Sequence, residues 1–162
     1  MKSPLSAEIW NRTAWGVALA ATLVLFVAVL LPPLLPPVGR ATLMEGFHLL
    51  CHQIPERSFA LGGVSLAVCH RCTGIYLGLV LGVLALPALP LRRIVDKRFE
   101  GLVLLVAVVP AAIDWGGDVA GLWTNTVMTR VATGLWFGVL AGYLFARAVS
   151  RRPERSGLAT AR

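Results

Sequence analysis

All three cysteines and all three histidines of the chain fall between His48 and Cys72. The first group reads His48-Leu-Leu-Cys51-His52-Gln53, and the second reads Cys69-His70-Arg71-Cys72. Two thiolates at C-x-x-C spacing can grip one metal ion or close on each other as a disulfide. Three thiolates and one imidazole complete a tetrahedron of the soft and borderline ligands that zinc takes. Cys51, Cys69, Cys72 and His52 make such a set, with His48 as the reserve fourth ligand. Two other readings stand beside zinc: a redox-active pair with one cysteine left over, and inert packing of buried thiols.

Several polar residues point to the same place. Asp114 ends a long apolar run, and an acid at the edge of such a run is a functional candidate or the partner of Arg130 or Arg71. Arg57 and Arg130 carry planar guanidinium forks that suit a phosphate or carboxylate. Asp114 is the candidate base, and Arg57 and Arg130 are the candidate anion clamps. Glu56 and Ser58 read as caps of a helical turn after Pro55. Asp118 reads as solvated, Asn125 and Thr129 as hydrogen-bonding groups, and Trp115, Trp123 and Trp136 as an interfacial aromatic belt.

These residues need elements to hold them, and the apolar runs supply the elements. Uncharged stretches cover residues 14–31, 74–91, 101–113 and 131–146. A membrane-crossing helix needs about 20 apolar residues. The expectation is an all-α membrane protein with four transmembrane helices at about 14–31, 74–91, 99–114 and 130–147. The first is read as a retained helix, because no small-x-small cleavage site follows it. A motif segment over 40–73 lies between the first two. Within it, Leu43, Met44, Phe47, Leu50 and Cys51 recur at helical spacing, which predicts a short interfacial helix ending at Ile54-Pro55. That helix would carry His48, Cys51 and His52 on one face. Seventeen residues separate Cys51 from Cys69, and Gly62-Gly63 offers a reversal between them.

Composition agrees. The 162 residues are 57% hydrophobic and 14% charged, with mean hydropathy +0.75. The net charge of +7 would suggest nucleic acid in a soluble protein, but here the basic residues flank the apolar runs. Nucleic acid is therefore set aside in favour of anionic lipid headgroups. Eleven Lys and Arg residues fall at the N-terminus, in the 92–98 loop and at the C-terminus, against four (Arg40, Arg57, Arg71 and Arg130) on the other side. The positive-inside rule then puts both termini in the cytoplasm and the 32–73 and 114–130 segments outside, across a cell membrane. Residues 1–150 form one domain, and 151–162 form a basic tail.

The chain also echoes itself. Arg71-Cys-Thr73-Gly74-x3-Gly78-x3-Gly82 is matched by Arg130-Val-Ala-Thr133-Gly134-x3-Gly138-x3-Gly142, with one extra residue after the arginine. Small residues at every fourth position let helices approach closely. Two helical hairpins in parallel repeat would produce this pattern, and both stripes should face helices rather than lipid.

The stretch Cys51-His-Gln-Ile-Pro-Glu-Arg-Ser-Phe59, then Cys69-x-Arg-Cys-Thr-Gly-Ile-Tyr-x-Gly78, Asp114, and Thr124-Asn125-x4-Arg130-x2-Thr133-Gly134 resembles one family. It is the membrane family called domain of unknown function 2085, and the resemblance covers about residues 42–146. It implies a common site at one membrane face and brings no activity with it. Three functions stay open. One is a metal-dependent enzyme, with zinc as cofactor, acting on a lipid or lipid-linked substrate. Another is a quinone-coupled thiol–disulfide oxidoreductase. The third is a metal-stapled module that assembles with a membrane-protein partner or with copies of itself. No phosphate-binding loop, dinucleotide fingerprint, nucleophile elbow or H-E-x-x-H motif occurs.

Overall fold

The computed structural model describes residues 11–89 and 99–150. Among them, four helices are long and apolar enough to cross a membrane: α1 (Arg12–Leu30), α3 (His70–Ala88), α4 (Glu100–Val119) and α5 (Val127–Ser150). A shorter helix, α2 (Pro37–His48), and an antiparallel hairpin of β1 (Ser58–Leu61) and β2 (Val64–Cys69) lie between α1 and α3. The four-helix architecture is the one expected. The expected basic tail and the Lys and Arg residues of the 92–98 loop fall outside the described residues.

The helix boundaries differ from hydropathy wherever a polar group is satisfied by the fold. Asn11 starts α1 by accepting a hydrogen bond from the Ala14 N–H at 3.2 Å. A run counted by apolar residues stops before Asp114, but α4 continues to Val119, because Arg71 neutralises that carboxylate. What ends α4 is Gly121, in the left-handed region at φ 70°. There the Leu122 N–H reaches the Gly117 carbonyl and the Gly121 N–H reaches the Asp118 carbonyl, a Schellman closure. At the start of α5, Thr126 and Thr129 cap each other, each backbone N–H donating to the other's hydroxyl at 3.1 Å. The helix therefore begins three residues earlier than the expected 130, and Arg130 sits in the first turn of α5.

The hairpin is the element that helical periodicity did not foresee. Gly62 and Gly63 both have positive φ, 59° and 80°, the conformation a tight two-residue reversal requires. Ser58 closes the helical turn Pro55–Arg57 as its C-cap and also pairs with Cys69 in the sheet, and its hydroxyl donates to the Ile54 carbonyl at 2.8 Å.

The two glycine stripes face each other. A Cβ placed on Gly78 would lie 2.6 Å from the Leu135 carbonyl oxygen and 2.8 Å from the Gly138 Cα. One on Gly134 would lie 2.1 Å from the Arg71 carbonyl oxygen. Backbones of α3 and α5 are in direct contact along three helical turns, running parallel. In hydrocarbon no hydrophobic effect pulls helices together, so this close approach is what holds them. α1 packs on α3, and α4 packs on α5.

Proline and tryptophan form a second pattern. Pro87 in α3 and Pro110 in α4 lack the N–H that would bond the carbonyl four residues back. Those carbonyls belong to Val83 and Val106. The indole N–H of Trp15 donates to Val83 at 2.9 Å, and that of Trp136 donates to Val106 at 3.1 Å. Each indole comes from a neighbouring helix and supplies the missing donor where water is absent. Trp136 is exposed on the bundle surface and ties α5 to α4 through this bond. Trp123 folds over Gly117 and donates to the Asp114 carbonyl at 3.3 Å.

The Asn11 N–H donates to the Ser150 carbonyl at 3.2 Å, so both ends of the bundle meet at one pole. The end of α1, the starts of α3 and α5 and the end of α4 meet at the other, with α2 and the hairpin over them.

Candidate functional site

Cys51 follows α2. That helix ends at His48, three residues short of the last position in the expected apolar pattern, and the Cys51 N–H bonds the Phe47 carbonyl at 2.9 Å. The chain then leaves helical geometry, so His48, Cys51 and His52 do not share a face. Cys51 turns inward and is 5% exposed, while both histidines are exposed. Gln53 holds this turn. It adopts φ 50°, a left-handed conformation that costs energy for a residue with a side chain. Its amide donates to the Met44 carbonyl at 2.7 Å and to the Ala67 carbonyl at 2.8 Å, strapping the turn to α2 and to β2.

Cys69 is the last residue of β2 and the N-cap of α3, and Cys72 lies in the first turn. The C-x-x-C pair thus straddles the helix start rather than preceding it. A helix N-terminus stabilises nearby thiolates. The Cys69 N–H donates to the Cys51 sulfur at 3.2 Å, joining the two halves of the motif. Hydrogen bonds from the Cys51 thiol and then from the Cys72 thiol hold Cys69 far below the ordinary thiol range.

The three sulfurs lie within 4.8 Å of one another, and all three cysteines are free. A tetrahedral ion with bonds of about 2.3 Å needs sulfurs about 3.8 Å apart. Three cysteines from two separate segments therefore converge closely enough to hold a metal ion. His52 and His48 stand outside that group. His52 lines the cleft above it. His70 is buried, its ring edge-on to Phe59 with centroids 4.4 Å apart.

The cysteines lie at the base of a cleft of about 250 Å³. Arg57, Arg71, Arg130, Asp118, Asn125 and Trp115 form its walls. Each arginine comes from a different element: the turn Pro55–Arg57, α3 and α5. Asp114 is buried beside the cleft and accepts directly from the Arg71 guanidinium, which links α4 to α3. Asp118 is not simply solvated. It faces Arg130 at 3.8 Å and accepts from the Asn125 N–H at 3.2 Å. Buried polar atoms at the Arg71 Nε and the Asn125 Oδ1 have no hydrogen-bond partner among the described residues.

Sequence reasoning missed Gln53 and Asp118. The signal for Asp118 was present: once α4 is extended, Asp114 and Asp118 stand at i and i+4 on one face. For Gln53 no local pattern distinguishes a strap from any exposed amide.

A family model described as predicted membrane protein (DUF2085) matches residues 51–144, from the first cysteine to just past the second glycine stripe. An uncharacterized protein of Methanocaldococcus jannaschii is 29% identical over 132 residues, covering 75% of this chain and 83% of that protein. An uncharacterized protein of Methanothermobacter thermautotrophicus is 34% identical over 93 residues, covering 57% of this chain and 81% of that protein. No solved structure matches.

Proposed function

This chain belongs to the DUF2085 family of predicted membrane proteins, and we propose that it carries a zinc centre on Cys51, Cys69 and Cys72 serving a reaction on an anionic, membrane-borne substrate. The observation that carries the reading is the convergence of three free sulfurs at the base of a cleft walled by three arginines. Sulfur-rich sites select zinc over magnesium or calcium. Three protein ligands leave a fourth position open, which is the arrangement of catalytic rather than purely structural zinc. His52, on the cleft wall, is the residue of this chain that would close it in a resting state. Bound there, zinc would polarise a phosphate or carbonyl oxygen or lower the pKa of a water toward about 7.

The chain's own residues have separable tasks in this reading. Arg57 and Arg130 bind and orient the anionic group through paired N–H donors. Asp114, the base expected from its position in the sequence, is bonded to Arg71 and fixes that arginine. Asp118 is the carboxylate on the cleft wall with access to a water molecule. The Lys and Arg distribution supports a cleft facing out of a cell membrane with both termini in the cytoplasm. Residues 1–150 act as one unit in this reading, with 151–162 as a basic cytoplasmic tail.

The test is elemental analysis and thiol counting on the same purified protein. About one zinc per chain is expected, with three thiols reactive only after chelation and denaturation. Cys51→Ser, Cys69→Ser and Cys72→Ser should each reduce the metal content. A metal-free protein with a Cys69–Cys72 disulfide would overturn the reading in favour of thiol–disulfide exchange.

A further inference from the structure

A second cavity lies beside the cleft. It is a groove of about 560 Å³ between the end of α1 and the length of α2. Leu25, Leu31, Leu35, Leu43 and Phe47 line it, and Gly39 and Gly46 leave its floor open. A Cβ at Gly46 would meet nothing within 4 Å. The elbow between α1 and α2 is pinned by Arg40, whose guanidinium donates to the Pro32 and Leu35 carbonyls, both at 3.2 Å. The groove wall is thus held in place by main-chain contacts rather than by apolar packing alone.

Leu50 connects the two cavities. It lines both the groove and the arginine cleft, and it is 71% exposed at their junction. One side of Leu50 is lined by hydrocarbon side chains with Thr42 as the one side-chain hydroxyl, and the other presents Arg57 and Arg130. We infer that the two cavities form one composite site for a single-chain anionic amphiphile, its phosphate in the arginine cleft and its alkyl or isoprenoid chain along the α1–α2 groove.

The chemistry on the two sides of Leu50 selects this occupant. A phosphate monoester offers three strong acceptors, and planar guanidinium groups match it in pairs. A zwitterionic headgroup would bring a cation toward three arginines, with Asp118 the single carboxylate on the cleft wall. The groove is open along one side, and its volume of about 560 Å³ gives the room that one alkyl chain needs. The inference rests on the proposed function for the identity of the cleft as a substrate site, but its test does not depend on metal.

The experiment is thermal unfolding of the full chain in dodecyl maltoside, titrated with dodecyl phosphate, dodecylphosphocholine or inorganic phosphate, with zinc measured on every sample. Dodecyl phosphate should stabilise the protein at a concentration at least ~10-fold below that needed for either of the other two. Gly46→Phe places a ring in the groove from a position where the Cβ itself meets nothing within 4 Å. It should raise the half-saturating dodecyl phosphate concentration several-fold and leave inorganic phosphate unchanged. Arg57→Gln should weaken both. If Gly46→Phe does not fold, Gly39→Leu provides the same obstruction, since a Cβ at Gly39 makes only ordinary contact with Leu35. Equal responses to dodecyl phosphate and dodecylphosphocholine, or a groove variant that binds like the parent, would overturn the inference. A protein that holds zinc but ignores dodecyl phosphate refutes this inference alone. One that binds dodecyl phosphate selectively without metal refutes the zinc centre alone.

Discussion

The α3–α5 seam and the cap over its end are built on opposite principles. Along the seam, Gly74, Gly78 and Gly82 meet Gly134, Gly138 and Gly142 with no side chain between the backbones. In the cap, α2, the hairpin and the 51–54 turn are joined by long-reaching side chains: Gln53 to Met44 and Ala67, Arg40 to Pro32 and Leu35. The seam tolerates no added atom and offers no chemistry. The cap holds the thiols, one strained residue and the cavities. The difference teaches that the rigid part of this protein acts as a foundation, and the part carrying reactive groups is positioned by a few specific bonds. Arg71 and Cys72 stand where the two meet, on the first turn of a seam helix and inside the cleft.

The largest expected effect breaks the foundation. Gly138→Leu places a branched side chain where a Cβ alone would lie 2.3 Å from the Ile75 carbonyl oxygen. Neither backbone can yield locally, so the loss should be about 3 kcal/mol or more, read as thermal unfolding in detergent. A variant as stable as the parent would mean the seam is not what holds the bundle together.

Gln53→Ala should divide the two regions. It removes two hydrogen bonds and leaves two carbonyls without that donor, a local loss of about 1–3 kcal/mol. The bundle's unfolding temperature should move little, whereas zinc should be lost to a chelator roughly 10-fold more readily, about 1.4 kcal/mol. Equal changes in both measurements would show that cap and seam unfold as one unit.

The smallest effect lies between α4 and α5. Trp136→Phe keeps the aromatic ring but removes the donor to the carbonyl that Pro110 leaves open. The cost should be about 0.6 kcal/mol, near the average for interhelical hydrogen bonds in membrane proteins. Pro110→Ala restores an internal donor and should make Trp136→Phe nearly neutral in a double-mutant cycle. No coupling between the two sites would sever the proposed link.

Much of the site was legible because its residue types are distinctive. Cys51, Cys69 and Cys72 were singled out by type and spacing alone, and they do converge. The fourth ligand was less legible. A one-face set of His48, Cys51 and His52 requires an unbroken helix, and the helix breaks at His48 because Gln53 pulls the next turn onto β2. Asp114 was found as an acid at the end of an apolar run. Its partner remained open between Arg130 and Arg71 until the bundle put Arg71 against it and Arg130 against Asp118.

Taken by itself, the sequence determined the number of long apolar helices, the existence of two glycine-striped surfaces and the clustering of every thiol within one segment. These follow from local composition and period, which the choice between lipid and water reads directly. Only the tertiary structure decided that the two stripes meet each other, that Trp15 and Trp136 supply donors opposite Pro87 and Pro110, and that Leu50 joins an arginine cleft to an apolar groove. Each of those is a meeting of residues far apart in the chain. Hydropathy and spacing are blind to it, because they say which face is apolar or small but not which other face lies within bonding distance.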